Sequence, residues 1–162
     1  MMETSKVPLE AFDKLTMPGC YAALSYCWRN KSNLQKDRPR PCTANSTTLG
    51  RLHVGIPTSE LPLTLRHATQ VCQWLGIEYI WIDSLCILQD SAADWEVEAA
   101  TMEMVYSMAK ITIIAASSTS YDSGFYRTHV ILLVRYQAKW SSHTRSRTTE
   151  RVKSASTCRA MT

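Results

Sequence analysis

Three short apolar segments of the chain have the composition and length of β-strands. Residues 21–28 form an aromatic-rich run without proline or glycine, and residues 110–116 are rich in β-branched side chains. Residues 77–82 are apolar at nearly every position, a pattern typical of a strand that is covered on both faces in a parallel sheet. We therefore predict three strands, with the 77–82 strand at the centre. A fourth, short strand is predicted over residues 49–56.

Two longer segments repeat their apolar residues at helical spacing. In residues 61–75, one face of a predicted helix collects Leu61, Leu65, Ala68, Cys72 and Leu75. Pro62 suits the first turn of this helix, and Gly76 suits its C-terminal cap. In residues 91–108, Ser91 followed by Asp94 is typical of a helix start. The predicted core face of this second helix consists of Trp95, Ala99, Met102, Tyr106 and Ala109.

The elements alternate in the order strand, helix, strand, helix, strand. This order predicts an α/β fold with an open, mostly parallel sheet flanked by helices. From residue 130 onward, seven lysines and arginines stand against one acid, Glu150. Such tails bind nucleic acid in some proteins, but this composition favours a solvated, disordered segment. We therefore predict a folded domain over 15–127, preceded by an extension (1–14) and followed by a disordered basic tail (128–162).

The composition and the cysteine spacing exclude several classes of protein. With 162 residues, 45% of them hydrophobic, the chain is long enough for one domain with a buried core. The six cysteines show no Cys-x-x-Cys spacing, so we expect no metal site. The N-terminus lacks the apolar run of a secretory signal, and no stretch of about 20 apolar residues exists to span a membrane. A cytoplasmic protein with free thiols and no membrane partner is therefore expected.

Polar residues follow the predicted strands at the end where ligands bind in open parallel sheets. Asp83 comes directly after the 77–82 strand, and Ser117 and Ser118 follow the 110–116 strand. An Asp-Ser pair is also ordinary turn chemistry, so Asp83 is either a pocket residue or a cap. The residues expected to line a substrate pocket at this edge are Ser25, Tyr26, Trp28 and Asp83.

One acid of the second predicted helix, Glu98, lies nearer the core face than the others do. At about 100° per residue, Glu98 lies about 60° from the centre of that face, whereas Glu103 and Glu96 lie roughly 80° and 100° away. A half-buried carboxylate has a raised pKa unless it is paired, and such groups cluster at functional sites. Glu98 is therefore either a catalytic acid or a structural acid that pairs with Arg66, Arg127 or a backbone cap.

Common catalytic motifs are absent from the sequence. The chain has no Gly-x-Ser-x-Gly, P-loop, His-Glu-x-x-His or Gly-x-Gly-x-x-Gly pattern. A nucleophile pair of Cys86 with His53 or His67 is an alternative, but Cys86 stands between Leu85 and Ile87 in an apolar segment. This segment favours a core position for Cys86 over a reactive one.

Three blocks of the sequence resemble the fungal heterokaryon incompatibility (HET) domain. They are YAALSYCW at 21–28, the string from 61 to 117 that contains LGIEYIWIDSLCILQD and DWEVEAATM, and DSGFYR at 122–127. The resemblance implies a filamentous fungal protein with a role in nonself recognition, in which the domain triggers growth arrest or cell death. The family is distantly similar to Toll/interleukin-1 receptor (TIR) domains. That similarity implies a flavodoxin-like, TIR-like sheet and self-association.

Some TIR domains cleave NAD with a helix-borne glutamate that follows an aromatic residue. Trp95 and Glu98 are similar in placement, which implies NAD as a substrate, no other cofactor, and Glu98 as the catalytic residue. In that reaction Glu98 stabilises the positive charge that develops at the ribose, or orients the attacking water or the ribose hydroxyls. Trp28 is expected to stack on the nicotinamide or the adenine. The residues implied for the ribose or phosphate pocket are Ser25, Tyr26 and Asp83.

Two further functions stay open from the sequence. A non-catalytic module, which acts by self-assembly and recruitment, tolerates glutamine at position 98, whereas an NAD-cleaving enzyme requires the Glu98 carboxylate. An upstream recognition or regulatory protein is an expected partner in either case. Nucleic-acid binding rests on the charge of the basic tail alone, and it predicts salt-sensitive binding that disappears when the residues after 136 are removed.

Overall fold

Six strands form one open sheet in the computed structural model, which describes residues 6–11, 20–28, 42–118, 120–126, 131–134 and 156–159. In chain order the elements are β1 (Lys6–Val7), β2 (Leu9–Ala11), β3 (Tyr21–Ser25), α1 (Leu49–Val54), β4 (Ile56–Pro57), α2 (Leu63–Trp74), β5 (Tyr79–Trp81), α3 (Asp83–Cys86), α4 (Ala92–Met108), β6 (Ile111–Ile114), β7 (Ile131–Val134) and β8 (Ser156–Arg159). One turn of 3-10 helix, Thr58–Glu60, precedes α2. Strands β1 and β4 pair with each other in a separate antiparallel ribbon.

The centre of the six-stranded sheet is parallel. The spatial order is β2-β8-β5-β3-β6-β7, and β3 pairs in parallel with β5 on one side and with β6 on the other. The outer strands β8, β2 and β7 pair antiparallel with their neighbours. The parallel strands therefore follow the order second, first, third across the sheet, which places a crevice between the carboxyl ends of β3 and β6. The predicted α/β fold with an open sheet is confirmed, with parallel pairing at its centre.

The three predicted strands and both predicted long helices form, and each is slightly shorter than predicted. Pro62 stands at the N-cap, one position before α2. At the other end of α2, Gly76 has a φ of 63°, a conformation that favours glycine. The Gly76 amide donates to the Gln73 carbonyl (3.1 Å), and the Ile77 amide donates to the Cys72 carbonyl (2.9 Å). This capping motif turns the chain directly from α2 into β5.

The strand predicted over residues 49–56 is wrong for most of its length, because α1 occupies it and only β4 is extended. The side-chain carbonyl of Asn45 accepts a hydrogen bond from the Thr48 amide (2.9 Å), which satisfies a free donor at the start of the helix. Leu52 is buried, whereas Val54 is 73% exposed. The apolar residues that suggested a strand therefore do not share one face.

The core face of α4 is rotated by about 50° from the predicted one. The side chains of α4 that face the sheet or its loops are Glu98, Met102, Val105 and Ala109 at its C-terminal boundary. Trp95, predicted as the first residue of the core face, is 56% exposed. The adjacent Asp94 accepts a hydrogen bond from the Leu88 amide (2.8 Å), so the first turn of α4 directs Asp94 inward and Trp95 toward solvent.

The core packs around the parallel centre of the sheet. Its largest fully buried side chains include Trp81, Tyr21, Leu24, Leu65, Ile80 and Ile113. Cys72 and Cys86 are buried, as their apolar segments predicted. Within the described residues, no helix is long and apolar enough to cross a membrane.

Parts of both predicted terminal segments belong to described strands. β1 and β2 fall in the predicted extension (1–14), and β7 and β8 fall in the predicted basic tail (128–162). The residues of β7 and β8 lie in the six-stranded sheet. The other tail residues, and with them most of the predicted tail, lie outside the described residues, so the domain boundaries stay a prediction.

Candidate active site at the carboxyl edge of the sheet

Asp83 lies at the carboxyl end of β5, where it is the first residue of α3. Its Oδ2 accepts a hydrogen bond from the indole Nε1 of Trp28 (2.8 Å), and its Oδ1 accepts one from the Ser84 amide (2.7 Å). Trp28 follows β3, the neighbouring parallel strand, so the two carboxyl ends are joined through this carboxylate. Asp83 therefore begins a helix and lies at the carboxyl edge of the sheet, where a ligand pocket is predicted.

Burial raises the pKa of Asp83 to about 6. The hydrogen bonds from the Ser84 amide and the Trp28 indole favour the ionised form and lower the pKa in part, but desolvation is the larger effect. A carboxyl group with such a pKa exchanges its proton near neutral pH, which is the property required of a general acid or base.

Tyr26 completes a cluster of aromatic and polar side chains at this edge. Its hydroxyl donates to the Ser84 Oγ (2.8 Å), and its ring stacks on that of Trp28 with centroids 6.4 Å apart. Burial raises the pKa of Tyr26 above its usual range, so the phenol stays a neutral hydrogen-bond donor. Tyr26, Trp28, Asp83 and Ser84, which we call the edge cluster, present two ring systems and one ionisable group together.

The ends of β3 and β6 meet beside this edge cluster. The Ala115 amide donates to the Ser25 carbonyl (2.9 Å), so the carboxyl ends of β3 and β6 lie side by side. Among the described residues, the Ser117 hydroxyl is a buried side-chain oxygen without a hydrogen-bond partner. Buried hydroxyl groups are usually paired, and this one lies where the strand order places a crevice. Ser25 itself is half-buried.

Glu98 is 2% exposed and is therefore more deeply buried than the half-buried position predicted for it. Two turns later in α4, the hydroxyl of Tyr106 donates to the Leu24 carbonyl near the carboxyl end of β3 (3.0 Å). The eight residues from Tyr106 back to Glu98 correspond to about 12 Å along the helix axis. Because α4 connects β5 to the parallel strand β6, it runs opposite to them, and Glu98 lies toward the carboxyl edge. Arg66, one of its predicted partners, donates to the carbonyls of Ser59 and Leu61.

The structure brings three of the predicted site residues together. Trp28 and Asp83 are in contact, and Tyr26 joins them through Ser84, whose role the sequence did not indicate. Arg127, the other predicted partner of Glu98, lies outside the described residues. The sequence around either residue does not indicate the hydrogen bond between Trp28 and Asp83, because 55 positions separate them.

Each member of the alternative nucleophile pairs, Cys86, His53 and His67, contacts a backbone group. The Cys86 sulfur accepts a hydrogen bond from the Ile82 amide (3.4 Å) in the core. His53 contacts the Leu9 carbonyl (2.8 Å), and His67 contacts the Phe125 amide (3.1 Å). The core interpretation of Cys86 therefore holds. In the part of the chain that the structure describes, no group of three or more His, Cys, Asp or Glu side chains is arranged to hold a metal ion.

Comparison with known proteins places this chain in a family. The model of the family described as Heterokaryon incompatibility protein (HET) matches residues 21–161, from the start of β3 past the end of β8. No curated protein and no solved structure matches the chain. Because the family match spans most of the chain, the chain belongs to the heterokaryon incompatibility (HET) family, which has its role in heterokaryon incompatibility in fungi.

Proposed function

We propose that this domain is an effector of nonself recognition that cleaves NAD at the carboxyl edge of its sheet and thereby triggers cell death. The observation that carries the proposal is that both helices after β5 hold a carboxyl group away from bulk water toward this edge: Asp83 begins α3, and Glu98 lies in the first half of α4. Carboxyl groups in such surroundings are typical of sites that stabilise charge or transfer protons. The likeness to TIR domains belongs to the proposal, and the second-first-third order of the parallel strands supports it.

The proposed reaction is hydrolysis of the bond between nicotinamide and ribose. The C1′–N bond breaks, its electron pair leaves with neutral nicotinamide, and positive charge develops on the ribose. Water then bonds to C1′ and releases a proton, so that the products are ADP-ribose, nicotinamide and a proton. The Glu98 carboxylate stabilises the ribose charge, because attraction between charges is stronger where water is excluded.

The edge cluster supplies groups that suit the two ends of the scissile bond. Each Asp83 oxygen accepts one hydrogen bond within the protein, so both retain capacity to accept from ribose hydroxyls. Tyr26 donates its one hydroxyl hydrogen to Ser84, so its oxygen retains capacity to accept from a ribose hydroxyl, and Ser25 lies beside it. The ring of Trp28 stacks on the nicotinamide or the adenine. An ionised Asp83 repels phosphate, so we assign it to the ribose.

Self-association is proposed as the switch of this activity. Glu98 is almost fully covered in the chain as described, so substrate contact requires a shift that uncovers it. Assembly of several copies, promoted by an upstream recognition protein, is the proposed cause of that shift. Cys20, Cys42 and Cys72 are free thiols, as expected in a reducing compartment, and we place the protein in the cytoplasm, where NAD is available to it.

The experiment that tests this function is an assay of NAD loss and nicotinamide release by the full chain at increasing protein concentration. Glu98→Gln is the test variant, and Glu96→Gln, an exposed acid in the same helix, is its matched control. We expect turnover that rises more than linearly with protein concentration, disappears in Glu98→Gln and persists in Glu96→Gln. Circular dichroism must show that both variants fold.

Equal turnover in the two variants would contradict the role of Glu98. No turnover by an assembled, folded chain would exclude NAD cleavage and favour the second candidate, a non-catalytic recruitment module. That candidate is supported by three partly exposed apolar residues along one side of α4, Val97, Met104 and Met108. Apolar side chains at this spacing are typical of helix surfaces that pack on a partner.

A further inference from the structure

The loop that follows β6 is fastened to α2 by hydrogen bonds around one histidine. The Phe125 amide donates to Nδ1 of His67 (3.1 Å), and the Tyr126 hydroxyl donates to the His67 carbonyl (3.1 Å). One turn earlier in α2, the Thr64 hydroxyl accepts a hydrogen bond from the Gly124 amide (3.1 Å). The segment 120–126 is therefore held to α2 at three consecutive residues.

The imidazole of His67 occupies a tightly fitted slot in this loop. The Tyr126 ring stacks on it with centroids 3.6 Å apart, and the Phe125 ring meets it edge-on at 5.3 Å. Gly124 has a φ of +64°, and a Cβ at that position would lie 2.6 Å from the His67 Cε1. Only glycine fits beside the ring, so the loop backbone and the imidazole are matched in shape.

We propose that His67 and the 120–126 loop form a pH-sensitive clamp, closed when the imidazole is neutral and released when it is protonated. Nδ1 accepts the Phe125 N–H bond only while it has a free lone pair. In the imidazolium both ring nitrogens carry protons, so two donors would face each other at this contact. Phe125 is buried, and its amide would lose its acceptor in surroundings where water does not replace it.

Burial and the neighbouring Arg66 both favour the neutral form of His67. Burial and the neighbouring Arg66 guanidinium lower the pKa of His67 below its ordinary value of 6.5. Tyr126, which faces the ring from the loop, has a pKa raised by burial and stays neutral. Asp122, an exposed acid, lies in the same loop. Because the pKa is lowered in the folded state, the clamp contributes stability above about pH 6.5 and loses it as the pH falls through the folded-state value.

The clamp is connected to the carboxyl edge of the sheet. The Thr64 hydroxyl that receives the Gly124 amide also lies 3.0 Å from the Ser118 hydroxyl, directly after the unpaired Ser117. Release of the loop in mild acid therefore loosens one side of the crevice between β3 and β6. This inference concerns the loop itself and holds whether or not the site cleaves NAD.

Hydrogen exchange of the full chain tests the clamp. The measurement is the protection factor of the Phe125 amide, or of peptides covering 120–126, at pH 7.5 and pH 5.5 after correction for intrinsic exchange rates. We expect protection to fall about tenfold in the parent chain at the lower pH, as for any structure whose opening is coupled to one proton. In His67→Asn, whose side-chain oxygen replaces Nδ1 as an acceptor and does not titrate, we expect a change of less than about twofold.

Two control variants make the result specific. His53→Asn removes a histidine outside the loop and should keep the parent's fall in protection, whereas Gly124→Ala should lower protection at both pH values. The proposal is wrong if the parent shows no fall, or if His67→Asn shows the same fall as the parent. Should His67→Asn fail to fold, an NMR titration of His67 in the parent decides the matter. A pKa below 6.5 supports the clamp, and a value at or above 6.5 overturns it.

Discussion

The two edges of the parallel centre are built from different chemistry. At the amino edge, polar groups are paired within the protein: the Tyr21 hydroxyl donates to the Val105 carbonyl (2.6 Å), and the Lys110 amide donates to the Tyr21 carbonyl (2.9 Å). At the carboxyl edge, Asp83 holds an ionisable group in surroundings that disfavour its charge, and the Ser117 hydroxyl has no partner among the described residues. The polar groups of the amino edge thus stabilise the fold, whereas the carboxyl edge keeps a desolvated carboxyl group and a hydroxyl group without a partner among the described residues.

The largest expected difference lies between a tryptophan of the core and a tryptophan of the carboxyl edge. Trp81 is almost fully buried, so Trp81→Ala should lower the free energy of unfolding by about 3–5 kcal/mol through lost burial and a cavity. Trp28 is only half-buried, and Trp28→Ala should lower it by less than about 2 kcal/mol. Urea denaturation measures both, and equal losses would contradict the distinction between core and edge.

Removal of the Asp83 charge should stabilise the protein, and the gain should shrink as the pH falls. The folded-state pKa of about 6 lies above the ordinary 3.8, so ionisation of Asp83 opposes folding, and this penalty grows as the pH rises from the ordinary pKa through the folded-state pKa. We expect Asp83→Asn to raise the free energy of unfolding at pH 8 by on the order of 2 kcal/mol, and to change it little at about pH 3.5. The exposed Asp122→Asn is the control and should show no such pH dependence. An equal gain at both pH values would mean that Asp83 is not desolvated.

Removal of a paired hydroxyl at the amino edge should destabilise the protein. Tyr21→Phe leaves the ring in the core but deprives the Val105 carbonyl of one of its two donors, the other being the Ala109 amide. The expected loss is about 1 kcal/mol in the free energy of unfolding, measured by urea denaturation. An unchanged stability would show that the amino edge is not closed by this bond.

Removal of the unpaired hydroxyl at the carboxyl edge should have the smallest effect and the opposite sign. In the absence of ligand, Ser117→Ala removes a buried hydroxyl group that has no hydrogen-bond partner within the described part of the chain. We expect a gain of about 0.5–1 kcal/mol in the free energy of unfolding by the same measurement. A loss of stability would place the Ser117 hydroxyl among the structural groups and weaken the contrast between the edges.

Local sequence patterns predicted the elements of the fold well where neighbours in the chain decide the structure. β3, β5 and β6 follow from apolar runs, and the end of α2 follows from Gly76, whose positive φ needs no distant partner. α1 was missed because the capping by Asn45 outweighs a weak apolar alternation. The outer strands β2 and β8 pair residues from the two ends of the chain. A local sequence pattern does not predict pairing between residues so far apart.

The candidate site was only partly predictable from the sequence, because its contacts also join residues that are far apart in the chain. The position of Asp83 after β5 indicated the carboxyl edge, because strand ends and ligand crevices are linked by topology. The hydrogen bond between Asp83 and Trp28 depends on how β3 lies beside β5. The spacing of apolar residues along a helix or a strand does not show which strands are neighbours. Helical spacing identified Glu98 as the most buried acid of α4, but it placed Trp95 in the core, whereas the observed core face is rotated by about 50° and leaves Trp95 exposed.

The most direct test of the claim that ligand binds at the carboxyl edge is hydrogen exchange of the full chain with and without NAD. Glu98→Gln is used so that NAD is not consumed during the labelling. We predict that NAD protects the segments 25–28 and 83–90, which contain the edge cluster, by several-fold and leaves the amino-edge segment 76–79 unchanged. Protection at the amino edge, or none at either edge at millimolar NAD, would contradict the account.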